Sequence, residues 1–343
     1  MVEQRWMDRA LALAARGPWP DPNPRVGCVL VDPTGNVVAE GFHRGAGTPH
    51  AEADALARAG GRAKGCTAYV TLEPCAHTGR TAPCADALVA AGVAAVVYGQ
   101  ADPNPAASGG AAVLRRSGVT VTGGCSVEAA TALNERWAST IRLGRPLVTW
   151  KFAATLDGRS AAADGSSQWV TGDDARADVH RLRATRDAVL VGTGTVTVDD
   201  PRLTVRDAAG RPLDRQPLRV VMGMRPVPED ARVRQGRGRV EVLHTRDPHE
   251  ALAALWDIGI RDVWLEGGPT LASAFLRAGV VDEVYAYLAP ALLGAGAPAV
   301  GDLGITTMAG ILRLSTRDVR VIGTDVRIHA AVAPQAAAAV TKE

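Results

Sequence analysis

Apolar and polar positions along this chain repeat with two periods, and the switches between them predict an ordered series of helices and strands. Trp6 to Ala15 has a helical pattern, stopped by Gly17-Pro18 and a turn containing Pro20, Pro22 and Pro24. The apolar run Val26 to Val31 then reads as a strand. Asp32-Pro33-Thr34-Gly35-Asn36 predicts a hairpin turn into a second strand, Val37 to Gly41. Helix formers follow from Glu52 to Ala59, then a strand at 68–72, a helix near 84–91, a strand at 94–98, a helix near 110–117, a strand at 119–122 and a helix after Glu128. A second series opens with a strand at 147–153, the turn Thr155-Leu-Asp-Gly and a helix at 173–184. Strands at 187–192, 217–222 and 239–243, a helix at 249–258, a strand at 261–266, a helix at 269–278 and a strand at 282–288 complete it, and Arg317 to Ala331 is strand-like.

Strands alternating with helices in both halves predict layered α/β structure, and the lack of an internal repeat predicts two different folds. A chain of 343 residues exceeds one comfortable core. The helix after Glu128 and the stretch Arg142 to Pro146 read as the linker, so the expected domains are 1–145 and 146–332, with an Ala-rich tail, 333–343, expected to be disordered.

Composition narrows the function classes. Hydrophobic residues make up 47% and charged residues 22%, ordinary for a soluble globular protein. A net charge of +2 gives no case for a nucleic-acid partner. The chain has no apolar run of membrane-spanning length, and Met1-Val2-Glu3-Gln4 lacks a signal-peptide pattern, so no membrane partner and a cytoplasmic location are expected. Five cysteines do not suggest a disulfide framework; Cys28, Cys66 and Cys125 read as small buried hydrophobes. Arginine dominates the basic residues, with lysine only at 64, 151 and 342. Lys151 therefore stands out inside a motif, where a compact ammonium differs from a guanidinium fork.

The chemistry concentrates first at His50, Glu52, Cys75 and Cys84. One imidazole and two thiolates fill three positions of tetrahedral Zn²⁺ and leave the fourth for water, whereas structural zinc sites usually close all four. Glu52, two residues after His50, can then handle a proton without ligating the metal, as in the zinc deaminases. The pattern departs from P-C-x-x-C, because eight residues, Ala76 to Pro83, separate the two cysteines. A strand delivering Cys75 to a helix start would lower its thiol pKa. In the second half, Val191-Gly-Thr-Gly-Thr195 and Glu266-Gly-Gly-Pro-Thr270 end strands with glycines, and a prolyl first turn at Pro269 could cradle a phosphate. Tight strand-to-helix turns explain both equally well, and neither has Rossmann spacing. Arg183 and Arg206 are candidates for bidentate contact with a substrate phosphate.

In the first half, Pro22-Asn-Pro24, Gly47-x-Pro49-His-Ala-Glu52, Thr71-Leu-Glu-Pro-Cys-Ala-His77, Gly79-Arg-Thr81 and Pro83-Cys84 resemble the deaminase half of the bifunctional RibD family of riboflavin biosynthesis. In the second, Lys151-x-Ala-x-Thr-Leu-Asp-Gly-Arg159, Ser167-Gln-Trp169, Arg181-Leu-Arg183, Asp199-Asp-Pro-x-Leu-Thr-Val-Arg206 and Glu266-Gly-Gly-Pro-Thr270 resemble its reductase half. The resemblance runs from about Trp6 to about His329, and the long cysteine spacer is distinctive of the family.

It implies a cytidine-deaminase-like three-layer sandwich followed by a dihydrofolate-reductase-like α/β domain. It also implies zinc-hydroxide deamination at C2 of 2,5-diamino-6-ribosylamino-4(3H)-pyrimidinone 5′-phosphate. NADPH then reduces the ribosyl group to ribityl, giving 5-amino-6-ribitylamino-uracil 5′-phosphate. His50, Cys75 and Cys84 would ligate zinc, Glu52 would move protons, and Asn23, His43, His77 and Arg80 would contact the first substrate. In the reductase, Lys151 and Asp157 would be the charged neighbours of the reacting carbon. Ala153, Trp169, Thr195, Asp199 and the turn Gly268, Pro269, Thr270, Leu271, Ala272, Ser273 and Ala274 would bind NADPH. Ser167, Arg183, Leu203, Arg206 and Glu266 would bind substrate. The family analogy further suggests a homo-oligomer associating through the reductase half.

Two departures stand out: Ala82 where proline is usual, and Gly223-Met224 where Asp-Ser is frequent. The second removes a hydroxyl that could touch the cofactor phosphate and leaves NADPH versus NADH preference open. A rival reading is a single-activity zinc nucleoside or tRNA deaminase with a non-catalytic second domain, though an aromatic content of 4% offers little for stacking bases. Another is a zinc-stapled structural protein, which would have no use for Glu52.

Overall fold

The computed structural model describes residues 2–77, 82–207 and 209–333, and the chain divides into two compact units, Met1–Gly144 and Arg145–Glu343. Most of the Ala-rich tail (334–343) and Arg80 lie outside the described residues.

The first unit contains α1 (Val2–Ala14), β1 (Gly27–Val31), β2 (Val37–Phe42), α2 (Ala51–Ala59), β3 (Thr67–Leu72), α3 (Cys84–Ala90), β4 (Ala95–Gln100), α4 (Gly110–Arg116), β5 (Thr120–Gly123) and α5 (Val127–Leu143). Its sheet has the order β2-β1-β3-β4-β5. β1 is antiparallel to both neighbours, while β3, β4 and β5 run parallel. Every residue of β1 is buried, because alternate side chains meet different helix layers. Cys28 and Leu30 face the layer of α2, α3 and α4, and Val29 and Val31 face α1 through Trp6, Met7 and Ala10.

The second unit contains β6 (Leu147–Thr155), α6 (Asp173–Arg183), β7 (Ala188–Gly192), α7 (Thr193–Asp199), β8 (Leu218–Met222), β9 (Val240–Leu243), α8 (Pro248–Asp257), β10 (Asp262–Leu265), α9 (Pro269–Arg277), β11 (Glu283–Ala289), β12 (Leu314–Ile322) and β13 (Asp325–Val332). The sheet order is β12-β13-β11-β6-β10-β7-β8-β9. Strands β11 through β9 in that order are parallel, and β13 is antiparallel to β11 and β12. Helices α8 and α9 cover one face through Leu252, Leu255 and Phe275, and α6 and α7 cover the other through Val179 and Val196. A buried carboxylate, Asp178 on α6, accepts from Tyr287 Oη at 2.7 Å and Arg327 at 2.8 Å, tying that helix layer to β11 and β13.

Two regions are more specific than the sequence expectation. The segment after Gly192 turns directly into α7, although Thr, Val and Gly are poor helix formers; burial of Val196 outweighs that propensity. The strand-like region 317–331 is a hairpin, β12 and β13, turning at Gly323, whose φ of 61° favours glycine.

Candidate active sites

In the first unit β3 ends at Leu72 and the next three residues carry Cys75 to the edge of a pocket of about 80 Å³. The turn is anchored by Glu73, whose buried carboxylate accepts from Gly109 N at 3.2 Å, Ala111 N at 3.0 Å and Asp102 N at 3.3 Å. The start of α4 packs so closely here that a Cβ on Gly110 would collide with the Pro74 carbonyl oxygen. Gly110→Ala should therefore push Pro74-Cys75 outward and cost about 1–3 kcal/mol by overpacking. A lowered melting temperature together with reduced zinc content would show it; an unchanged metal content would separate the turn from the site.

His50 is the N-cap of α2 but makes no side-chain capping bond. Its Nδ1 lies 3.7 Å from Cys75 Sγ and 3.3 Å from Cys84 Sγ, and the three ligand atoms fall within 4.8 Å of one another. Cys84, the first residue of α3, occupies the helix start; Cys75 lies in the preceding loop, which corrects the expectation that Cys75 is delivered to a helix terminus. The Cys75 thiol is nevertheless pushed down to about 4, first by the hydrogen bond from Cys84, with His50 adding to the effect against the cost of burial. Sharing that proton drives Cys84 the opposite way. A soft tetrahedral dication would take both sulfurs as thiolates and relieve this conflict, so the donor set fits Zn²⁺.

Glu52 is 4% exposed, and burial pushes its carboxyl up to about 7. It contributes to the same pocket as His50 and Cys75 without belonging to the three-donor cluster. Asn23, His43 and His77 join them there, as the sequence suggested. His43 Nδ1 faces the Pro49 carbonyl at 3.0 Å, and its Nε2 lies 3.1 Å from Asn23 Nδ2. With Nδ1 donating to that carbonyl, Nε2 accepts from Asn23, which fixes a neutral tautomer. Missed from sequence are Trp137 and Asp102 in the pocket wall, and Asn134 beneath the loop that carries Asn23. Asn134 receives from Arg25 N and donates to Arg25 O, both at 2.9 Å. Asn134 sits at a kink in α5, with φ −117° and ψ 15°, and nothing local in the sequence signals it.

The second unit holds a cleft of about 1150 Å³. Trp150 pairs with Leu265, so Lys151 on β6 stands beside Glu266, the first residue beyond β10. Burial pushes the Lys151 amine down, while Glu266 favours its charge. For Glu266, burial is outweighed by Arg183, Lys151 and Trp264, which hold its carboxyl below the usual range. Ala153, Ser167, Thr195 and Asp199 also line the cleft, with Ser167 Oγ donating to Asp199 at 3.3 Å. Gly268, Pro269, Thr270, Leu271 and Ala274 form part of its wall. A Cβ on Gly267 would press into Leu271, so this turn has no room for a side chain there.

Other candidates are placed elsewhere. Ala272 lies in the core, and Ser273 Oγ accepts from Gly301 N at 2.9 Å, because successive helix residues rotate away from one face. Leu203 is packed in the core with φ 53°, and Trp169 is 69% exposed beneath the Arg176 guanidinium. Asp157 accepts from Thr155 Oγ1, Leu293 N and Gly294 N; these bonds hold its carboxyl down at about 2 and make it a clamp between two loops. The fork of Arg183 is engaged by Glu266 at 2.7–2.9 Å, and its remaining terminal nitrogen donates to Thr204 O at 2.9 Å. Bidentate contact with a phosphate is thus closed to Arg183 in this arrangement. Arg206 lines a separate pocket of about 520 Å³ with Arg202 and Arg237.

Both units match known families. Residues 1–100 match the family described as cytidine and deoxycytidylate deaminase zinc-binding region, and residues 146–328 match the RibD C-terminal domain. The riboflavin biosynthesis protein RibD of Mycobacterium tuberculosis is 51% identical over 306 residues, covering 89% of each chain. That of Escherichia coli is 42% identical, covering 96% of this chain and 99% of its own. Among solved structures, Acinetobacter baumannii RibD superposes with a TM-score of 0.83 at 40% identity, covering 97% of this chain and 99% of that one. The deaminase/reductase of Thermotoga maritima gives 0.80 at 32% identity with the same coverage. The chain belongs to the RibD family of riboflavin biosynthesis proteins.

Proposed function

We propose that this bifunctional riboflavin-biosynthesis enzyme removes the C2 amino group of 2,5-diamino-6-ribosylamino-4(3H)-pyrimidinone 5′-phosphate in residues 1–145 and reduces the product's ribosyl group to ribityl in residues 146–332. The carrying observation is the three-donor cluster of His50, Cys75 and Cys84 beside a buried carboxylate, Glu52, that is outside the cluster. Zn²⁺ held by those donors supplies the Lewis acidity that makes water a nucleophile near neutral pH, and NADPH supplies hydride for the sugar carbon. Glu52 carries a proton from the attacking water to the departing amine, so water adds, ammonia leaves and the carboxylate is restored. Asn23, His43 and His77 orient the ring.

In the second site Lys151 provides a compact positive charge beside the ribosyl carbon and donates the proton that accompanies reduction. Burial pushes that amine down and Glu266 opposes it by favouring the charged form, while Arg183 fixes Glu266. The single-activity alternative is not favoured, since the second unit itself matches the RibD C-terminal domain. We place the enzyme in the cytoplasm, consistent with its free cysteines and with the lack, among the described residues, of a helix long and apolar enough to cross a membrane. Self-association through the second unit is supported by edge strand β12, which exposes Val319 and Val321.

The test supplies the zinc-loaded chain with the diaminopyrimidine phosphate and NADPH, and follows ammonia and NADP⁺ separately. Ammonia should appear without NADPH, and NADPH oxidation should require the deaminated product. Lys151→Ala should slow oxidation about 100-fold or more while ammonia release persists. An unaffected oxidation rate would remove Lys151 from the reacting groups.

A further inference from the structure

The reductase cleft crosses the carboxyl ends of five neighbouring strands, in the order β6, β10, β7, β8 and β9. Adjacent strands lie about 4.8 Å apart, so the path from the first to the fifth is roughly 19 Å, long enough for an extended dinucleotide. Lys151 and Glu266 occupy the β6–β10 end, where reduction takes place in the reading above. The bare Gly267-Gly268 turn and Gly192 come next, at the ends of β10 and β7. The adenosine half of a dinucleotide reaching that far must lie over the ends of β8 and β9.

Those two ends carry positive charge. After β8 the chain reads Met222-Gly223-Met224-Arg225, and two residues beyond β9 come Thr245 and Arg246; Met224, Arg225 and Arg246 are exposed and line the cleft. The Arg225 guanidinium lies 2.9 Å from the position a Cβ would take on Gly194, so the bare backbone there gives it room to lean over the cleft. Among the described residues neither arginine is paired with a carboxylate, and the cleft's two acidic lining residues, Asp199 and Glu266, are not on these strand ends. The exposed Met224 side chain adds an apolar surface for an adenine ring. Where a site favours NAD, an acidic side chain meets the ribose 2′-hydroxyl; where it favours NADP, arginine receives the 2′-phosphate.

We infer that Arg225 and Arg246 form the subsite for the cofactor's adenosine 2′-phosphate, so that two guanidinium groups take the place of the hydroxyl lost at Gly223-Met224. The inference rests on the dinucleotide reading of the cleft and specifies its selectivity.

Equilibrium titration of the full chain, without turnover, tests it. Adenosine 2′,5′-bisphosphate should bind at least about tenfold tighter than adenosine 5′-monophosphate, and NADPH tighter than NADH by a similar factor. Arg225→Ala and Arg246→Ala should each weaken NADPH and the bisphosphate about threefold while leaving NADH and the monophosphate unchanged. The double variant should equalise the members of each pair. Arg→Gln variants at both positions, with melting temperatures recorded, provide a second set of neutral side chains. Equal affinity of the unaltered chain for NADPH and NADH would overturn the subsite while leaving a dinucleotide cleft intact. Parallel weakening of both cofactors in the variants would do the same. If neither cofactor binds, the cleft reading falls and the subsite with it.

Discussion

Glu52→Gln should reduce ammonia release by about 10²–10⁴-fold, the range associated with loss of a positioned general acid/base. Glutamine preserves the side chain's shape but cannot shuttle a proton, so the loss should appear in kcat more than in KM. Zinc content should remain at the unaltered level, because the three donors within 4.8 Å are His50, Cys75 and Cys84, and the Glu52 carboxylate, although it hydrogen-bonds Cys84, is not one of them. The environment supports this assignment: at 4% exposure the Glu52 carboxyl is pushed up to about 7, far from an ordinary surface carboxylate. Reduction of a substrate already deaminated should proceed at the original rate. Ammonia release within about threefold of the unaltered enzyme would reject Glu52 as the proton carrier, and loss of zinc would show that the carboxylate has a ligand role after all.

Zinc removal should have the second large effect. Stripping the metal with a chelator, or replacing Cys84 by Ala, should abolish deamination and lower the melting temperature of the first unit by about 5 °C or more, given roughly 2–4 °C per kcal/mol for units of this size. Without a dication, two thiols and an imidazole remain crowded in a buried site, with Cys75 and Cys84 competing for one proton. Metal-dependent melting should be confined to one transition, and NADPH titration of the stripped chain should be unchanged. Full ammonia release from metal-free protein would exclude the zinc reading. Chelation that also abolished cofactor binding would show that the second site depends on the metal.

These expectations draw on features with different legibility in the sequence. Periodicity predicted the element order well because both sheets are covered on two faces, leaving apolar runs such as Val26 to Val31 and Ala188 to Val191 bounded by glycine and proline. The candidate zinc donors were legible for a chemical reason: few arrangements explain one histidine, two cysteines and a nearby glutamate. Their supports were not. Glu73 finds its donors near residues 102–111, and Asn134 braces a turn more than a hundred positions earlier, so neither has a local pattern. In the reductase, spacing grouped Lys151 with Asp157, but side-chain direction separated them: Lys151 faces the cleft while Asp157 clamps a loop. Helix rotation likewise divided the 268–274 run into cleft-lining residues and the inward-facing Ala272 and Ser273.

By itself, the sequence determined the α/β alternation and singled out the candidate metal donors and a candidate proton carrier, because each depends on residue type within a short stretch. Tertiary structure decided which strand ends become neighbours. The order β6, β10, β7, β8, β9 brings together segments far apart in the chain and puts Arg225 and Arg246 at one end of the same cleft whose other end holds Lys151 and Glu266. Backbone hydrogen bonding between parallel strands sets that order, and such pairings are specified by packing of the whole sheet, with no signature in any single strand.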